Sequence, residues 1–188
     1  MKTGDLHPTT RFSDRVDNYV KFRPGYPAEI LEFFRQDLNL TPEHTVADIG
    51  SGTGIFSELF VRNGNRVFAV EPNDNMRAAA EKYFFGNAHF ISVPGTAEAT
   101  TLADRSAHFV TAAQAFHWFD PIKSQKEFTR ILQPGGYVVL VWNARRTEGT
   151  NFSVGYESLV RDFATDYENI GHHGIICPKG FNQKSFYN

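Results

Sequence analysis

Residues 45–56 read TVADIGSGTGIF, and this stretch restricts the fold more than any other in the chain. Thr45-Val46-Ala47-Asp48-Ile49 is short, β-branched and apolar apart from one aspartate, which predicts a buried strand. Gly50-Ser51-Gly52-Thr53-Gly54 predicts a tight turn, and an apolar helical pattern from about Ile55 to Asn63, closed by Gly64, starts at once. Glycines let the backbone turn sharply and leave no Cβ between it and a ligand, while a helix start offers free N–H groups. Such a turn suits a nucleotide-like cofactor. The glycine spacing alone says little, because loops with several glycines are common.

Two neighbouring features sharpen the reading. Asp48 lies at the end of the first strand, and a second strand, Arg66 to Val70, ends in Glu71, about twenty residues past the glycines. In a doubly wound sheet that acidic tip lies beside the first turn, placed to accept hydrogen bonds from two ribose hydroxyls. The glycines run G-x-G-x-G, whereas a dinucleotide fingerprint needs a glycine where Ile55 stands. A cofactor without a pyrophosphate is therefore favoured over NAD.

The 188 residues fit one domain with a substantial core, for which 18 phenylalanines are available. A net charge of −2 gives no electrostatic reason to expect nucleic acid or an anionic membrane as partner. The longest apolar runs have strand length, and MKTGDLHPTT has no apolar signal core, so neither a membrane span nor secretion is expected. Cys177 is the only cysteine, which suits a cytoplasmic protein. Monomer and homodimer both stay open. His172, His173 and Cys177 lack the partners of a zinc pattern, so no metal is expected.

Taken in order, residues 1–10 read as an arm. A helix follows from Ser13, with Phe12, Val16, Tyr19 and Val20 on one face. Arg23-Pro24-Gly25-Tyr26-Pro27 breaks the chain, and Ala28 to Leu38 forms a helix with Ile30, Leu31, Phe34 and Leu38 as its stripe. Pro72-Asn73 starts a helix carrying Met76, Ala79, Ala80 and Tyr83. Asn73 reads equally as its cap, and Met76 as core. Strand three is His89 to Val93; beyond it Thr96 is a candidate cap of a short helix with Glu98 in its first turn. Strand four, Phe109 to Ala113, runs into Gln114-Ala115-Phe116-His117-Trp118-Phe119-Asp120. In an open α/β sheet ligands bind outside the carboxyl ends of the strands, near the switch point between strands one and four. Pro121 to Leu132 predicts a helix, Pro134-Gly135-Gly136 a turn, and Tyr137 to Trp142 a strand covered on both faces. Arg145 and Arg146 follow, either facing an acidic substrate or simply solvated. Asn151 to Tyr167 predicts a last helix with Val154, Leu159, Val160 and Phe163 inward.

From about Arg11 to Asn143 the sequence resembles the class I S-adenosylmethionine-dependent methyltransferases, most closely those labelled methyltransferase type 11. DIGSGTG looks like the first motif of that family and VFAVEPN its second. Gly95-Thr96-Ala97-Glu98 and AQAFHWFD look like the third and fourth, and LQPGGYVVLVWN like the fifth-strand region. The resemblance implies an α/β fold, a three-layer Rossmann-like sandwich around a mostly parallel sheet. It implies S-adenosylmethionine as cofactor, S-adenosylhomocysteine as product and a small-molecule acceptor. Gly50, Ser51, Gly52 and Gly54, with Asp48, would carry the amino-acid end, and Tyr19 and Arg23 would lie near it, the arginine pairing with the carboxylate. Glu71 would hold the ribose. Pro72, Asn73, Met76, Thr96, Ala97 and Glu98 would line the adenine pocket.

Gln114, Ala115 and Phe116 would border the methyl group, with Tyr26, Trp118 and Phe119 toward the acceptor. Aromatic faces attract a sulfonium cation and exclude water. His117 is the candidate base, needed only if the acceptor must lose a proton. The expected organisation is an N-terminal part over 1–44, a cofactor-binding core over 45–143 and a C-terminal segment over 144–188. Family members usually continue into a sixth and a seventh strand. The chain looks C-terminally short by that measure, so an uncovered sheet edge is expected. A non-catalytic cofactor-binding protein is the alternative reading, with an NAD-dependent oxidoreductase behind it.

Overall fold

A computed structural model describes residues 25–143 and 149–163. The predicted helix from Ser13, Tyr19, Arg23, Arg145, Arg146, His172, His173 and Cys177 lie outside the described residues. The chain divides after Val141 into two compact units.

In the first unit five strands form one sheet: β1 (Thr45–Ile49), β2 (Arg66–Val70), β3 (Phe90–Val93), β4 (Ala107–Ala113) and β5 (Leu132–Val141). Their order is β3-β2-β1-β4-β5, and every pairing is parallel. Between them run α1 (Ala28–Gln36), α2 (Ser57–Arg62), α3 (Asp74–Tyr83), a 3-10 turn (Phe116–Trp118) and α4 (Pro121–Ile131). The strand order reverses at β1, with β2 on one side and β4 on the other, so the carboxyl ends of β1 and β4 border the crevice where such sheets take ligands.

Strand alternation divides the apolar residues into two layers. Val46, Val67 and Phe109 pack with Ile30 and Phe34 of α1 and Phe60 of α2. Ala47, Ile49, Val70 and Val110 pack with Phe128 and Ile131 of α4 on the other side. This is the expected three-layer arrangement. Ala107 and Phe109 are two residues apart yet enter opposite layers, because the register against β5 shifts between them.

The same shift corrects the expected start of β5. Leu132 already pairs with Ala107, while Tyr137 pairs with Phe109, so the Pro134-Gly135-Gly136 excursion lies within the strand instead of before it. A Cβ on Gly136 would fall 2.5 Å from the His108 carbonyl oxygen, so only glycine lets the two backbones approach there. Nor is β5 covered on both faces: Tyr137 is exposed and Val138 to Val141 are half-buried. Among the described residues β5 is an outer strand, which an all-apolar run does not reveal.

A second correction concerns Thr96. No helix begins there; Thr96 and Ala99 exchange both backbone hydrogen bonds, at 3.1 and 3.3 Å, and close a tight turn.

In the second unit the described helix is α5 (Asn151–Phe163). Its predicted inward face is exposed: Leu159 is 56% and Phe163 78% accessible, Val154 is exposed and Val160 half-buried, while Glu157 is the buried residue. Helical periodicity identifies an apolar stripe but not whether anything covers it.

Candidate cofactor site

Gly50, Gly52 and Gly54 all have positive φ (67°, 57° and 83°), the region glycine enters at no steric cost. They serve different neighbours. A Cβ on Gly50 would meet the Ala115 Cβ at 2.7 Å, and one on Gly54 the Phe84 ring at 2.6 Å. Both positions are glycine so that other parts of the chain can close on the turn. At Gly52 the nearest atom is the Met76 sulfur, 3.8 Å away, so here the missing side chain leaves the backbone open. The helix after the turn starts at Ser57, later than the apolar pattern suggests, so residues 50–56 belong to the loop.

Glu71 joins the turn to the next element. Its Oε2 accepts the Gly52 N–H at 2.9 Å and its Oε1 the Asn73 N–H at 2.9 Å. Arg77 Nη1 donates to the Glu71 carbonyl oxygen at 2.8 Å. Burial pushes the Glu71 carboxyl up from its ordinary value, against the two N–H groups and the arginine charge, which pull it down. Asn73 caps α3 by accepting the Met76 N–H at 3.0 Å, and both residues are buried against the turn.

Asp48 is almost inaccessible. Ser57 Oγ donates to its Oδ2 at 2.6 Å and Thr111 Oγ1 to its Oδ1 at 3.0 Å. Burial, helped slightly by the Glu71 charge and opposed by the two hydroxyls, pushes its carboxyl up to about 6. An unfolded aspartate titrates near 3.8, so the folded chain holds the extra proton between those values. The sign follows: this contribution to stability is complete below about pH 4 and is lost as pH rises through about 6. Relative to Asp48→Asn, the wild type is expected to lose on the order of 3 kcal/mol across that window. Melting temperatures of both proteins measured from pH 4 to 8 check this, and a pH-independent difference between them would refute it.

Tyr26, Asp48, Gly50, Ser51, Thr53, Ile55, Phe56 and Ala113 line a small cleft that opens to solvent. Tyr26 meets the Phe56 ring edge-on at 4.7 Å. Thr53 Oγ1 is buried in this wall without a hydrogen-bond partner. Beyond β4, Gln114 takes φ 57°, a strained value for a residue with a side chain, and its N–H donates to Val141 O at 2.8 Å. Ala115 is buried. Phe116, Trp118 and Phe119 are half-buried, Phe119 resting edge-on against Phe128 of the core at 6.2 Å. His117 is exposed on the 3-10 turn, with its ring tilted on Trp118.

Among the adenine candidates Ala97 is buried, and Glu98 Oε1 accepts the Asp120 N–H at 2.8 Å, which ties the third-strand loop to the start of α4. Pro72 is half-buried and Thr96 exposed.

The orphan hydroxyl, the open backbone at Gly52 and the buried carboxylates are what a polar ligand with a ribose and a cationic end requires, so the residues present fit a nucleoside-linked amino acid. Residues 47–140, half of the chain, match the family described as methyltransferase domain. The chain belongs to that family. S-adenosylmethionine is the cofactor that goes with it.

An uncharacterized methyltransferase of Mycobacterium tuberculosis is 37% identical over 138 residues, covering 71% of this chain and 52% of the relative. A malonyl-[acyl-carrier protein] O-methyltransferase of a Marinomonas species is 33% identical over 136 residues, covering 69% of this chain and 47% of the relative. The crystal structure of an S-adenosylmethionine-dependent methyltransferase from Aquifex aeolicus superposes with a TM-score of 0.59 at 18% identity. It covers 78% of this chain and 86% of the other, a likeness of fold. The chain spans about half the length of the curated relatives it matches.

Reading the sequence missed Ser57, Thr111 and Thr53 of this methyltransferase domain. Their signal was present as single polar residues in apolar surroundings. A buried aspartate at a strand end demands donors, and Thr111 on the neighbouring strand and Ser57 at the helix start supply them.

Proposed function

We propose that the protein containing this chain is a cytoplasmic enzyme that methylates a small-molecule acceptor. The observation that carries this reading is Glu71, buried at the tip of β2 and held between the Gly52 and Asn73 N–H groups, beside a glycine turn without dinucleotide spacing. When bound, S-adenosylmethionine supplies an electrophilic methyl group on a sulfonium centre. Glu71 then accepts from the ribose hydroxyls with lone pairs that the two N–H groups leave free. Pro72, Asn73, Met76, Thr96, Ala97 and Glu98 line the adenine end.

Gly50, Ser51, Gly52 and Gly54 carry the amino-acid end, and the negative charge of Asp48 favours its ammonium. Gln114, Ala115 and Phe116 border the reacting centre. Tyr26, Trp118 and Phe119 exclude water and hold the acceptor in line with the breaking bond, the main contribution required of the protein. His117 takes a proton from the acceptor where its chemistry demands that. Its exposure supports exchange of that proton with solvent. The balanced charge favours a small acceptor over nucleic acid. No helix among the described residues is long and apolar enough to cross a membrane.

Calorimetric titration with S-adenosylhomocysteine and, separately, NADH tests the cofactor assignment. Saturable binding of the first and none of the second is expected, and the reverse pattern sinks the reading. Labelled methyl transfer to a panel of oxygen, nitrogen and carbon acceptors then separates an enzyme from a protein that only binds its cofactor.

A further inference from the structure

Glu98 belongs to the loop that follows β3, beside Ala97, yet its carboxylate reaches away from that loop. Its Oε1 accepts the N–H of Asp120, 22 residues further on, at 2.8 Å. The other polar groups of Asp120 turn into α4. Its carbonyl oxygen accepts the Ser124 N–H at 2.9 Å and the Ser124 hydroxyl at 2.7 Å. Its Oδ1 caps the helix by accepting the Ile122 and Lys123 N–H groups, both at 3.1 Å, and its Oδ2 pairs with the Lys123 ammonium at 3.3 Å. The Asp120 N–H is the group that leaves the helix, so what it meets helps to set where the preceding segment ends.

That segment is Phe116 to Phe119. Before it, the Gln114 N–H is held by Val141 O at 2.8 Å, and within it Trp118 and Phe119 donate back to Ala115 O and Phe116 O, closing the turn on itself. At its far end the Phe119 ring lies over Gly50, where an added Cβ would stand 3.4 Å away, and edge-on to Phe128. Glu98 supplies a polar tie at that end. It stands on a fixed base: Thr96 and Ala99 close the turn around it, and the Thr100 N–H and hydroxyl both donate to Glu127 Oε1 of α4, at 2.8 and 2.5 Å. Removing the Glu98 carboxylate therefore leaves its loop attached to α4 and loosens the aromatic segment.

We propose that Glu98 is a positioning residue for the acceptor side, holding Phe116 to Phe119 in place through the backbone of Asp120. This rests on the methyltransferase reading, in which those rings face the methyl group and the acceptor. The role requires reach, not charge. Glutamine keeps a carbonyl oxygen at the same distance without the charge, whereas aspartate keeps the charge and falls one methylene short.

Trp118 reports on the segment. The chain has two tryptophans, so Trp142→Phe leaves Trp118 alone, and acrylamide quenching then measures its exposure. In that background and without ligand, Glu98→Ala and Glu98→Asp are each expected to raise the quenching constant roughly twofold, as local opening of the segment would. Glu98→Gln is expected to restore the parent value. The aspartate variant decides the question if the alanine variant does not fold. Unchanged quenching in Glu98→Ala or Glu98→Asp, or a rise in Glu98→Gln as large as theirs, overturns the assignment. S-adenosylhomocysteine is titrated calorimetrically into the wild type alongside. A folded wild type that does not bind it sinks the cofactor reading, whereas the quenching comparison, made without ligand, is decided separately.

Discussion

Glu71→Gln is expected to weaken S-adenosylhomocysteine binding roughly 100-fold while leaving the chain folded. Glutamine keeps the shape of glutamate but presents one oxygen and one NH₂ where the carboxylate presents two acceptors. In Glu71 both oxygens are engaged, one by Gly52 and one by Asn73. Whichever way the amide turns, its NH₂ faces a backbone N–H, and one arm of the clasp becomes donor against donor. The ribose loses a charged acceptor at the same time. Hydrogen bonds to charged groups contribute about 1.5–3 kcal/mol each, and two weakened contacts give an effect of that size. Stability should fall less than affinity, because the substitution also removes the desolvation that raises the carboxyl's pKa. Calorimetric titration beside a melting curve measures both. Affinity within threefold of the wild type would show that Glu71 does not hold the ligand.

Phe34→Ala acts on the fold instead. Phe34 is completely buried on α1 and meets Phe60 of α2 edge-on at 5.0 Å and Phe109 of β4 at 5.6 Å. It therefore links two helices to a central strand. Removing a ring from such a position costs about 3–5 kcal/mol through lost transfer energy and the cavity left behind. For a domain of this size the melting temperature should fall by about 10 °C. Urea unfolding of both proteins gives the difference directly, and a loss below about 1 kcal/mol would mean that the three elements repack without it. The glycine turn lies on the far side of Phe56, which stacks edge-on against Phe60 at 5.3 Å, so ligand affinity should change little once the chain is folded.

Much of this arrangement could be read from the residues. Val46, Val67 and Val110 lie in short apolar runs at intervals that a parallel sheet with helical crossovers imposes. The position of Glu71 follows from its distance to the glycines. What could not be read has a physical reason in each case. The start of β5 depends on whether Gly136 approaches the His108 carbonyl, a long-range contact that no local pattern encodes. The stripe on α5 has the right period, but period carries no information about what covers it. Thr96 has the chemistry of a helix cap, yet two backbone bonds with Ala99 close a turn instead, and local propensity yields to that geometry. Thr53 stands between Gly52 and Gly54 with no local pattern to mark it. Its isolation becomes visible only when the partners of every neighbouring polar group are accounted for.

The two outer glycines of the turn bear on how a deep mutational scan of this domain should be interpreted. Ala115 and Phe84 close on the turn from opposite sides, at positions where a single added carbon would collide. Enlarging either residue pushes on the loop as surely as mutating a glycine does. Fitness maps will then score Ala115 and Phe84 as sensitively as Gly52, although in the wild type each fills the space beside a glycine. A sensitivity map drawn on this fold therefore outlines the mould around the ligand as well as the ligand's own footprint, and the two separate only when binding and folding are measured on the same variants.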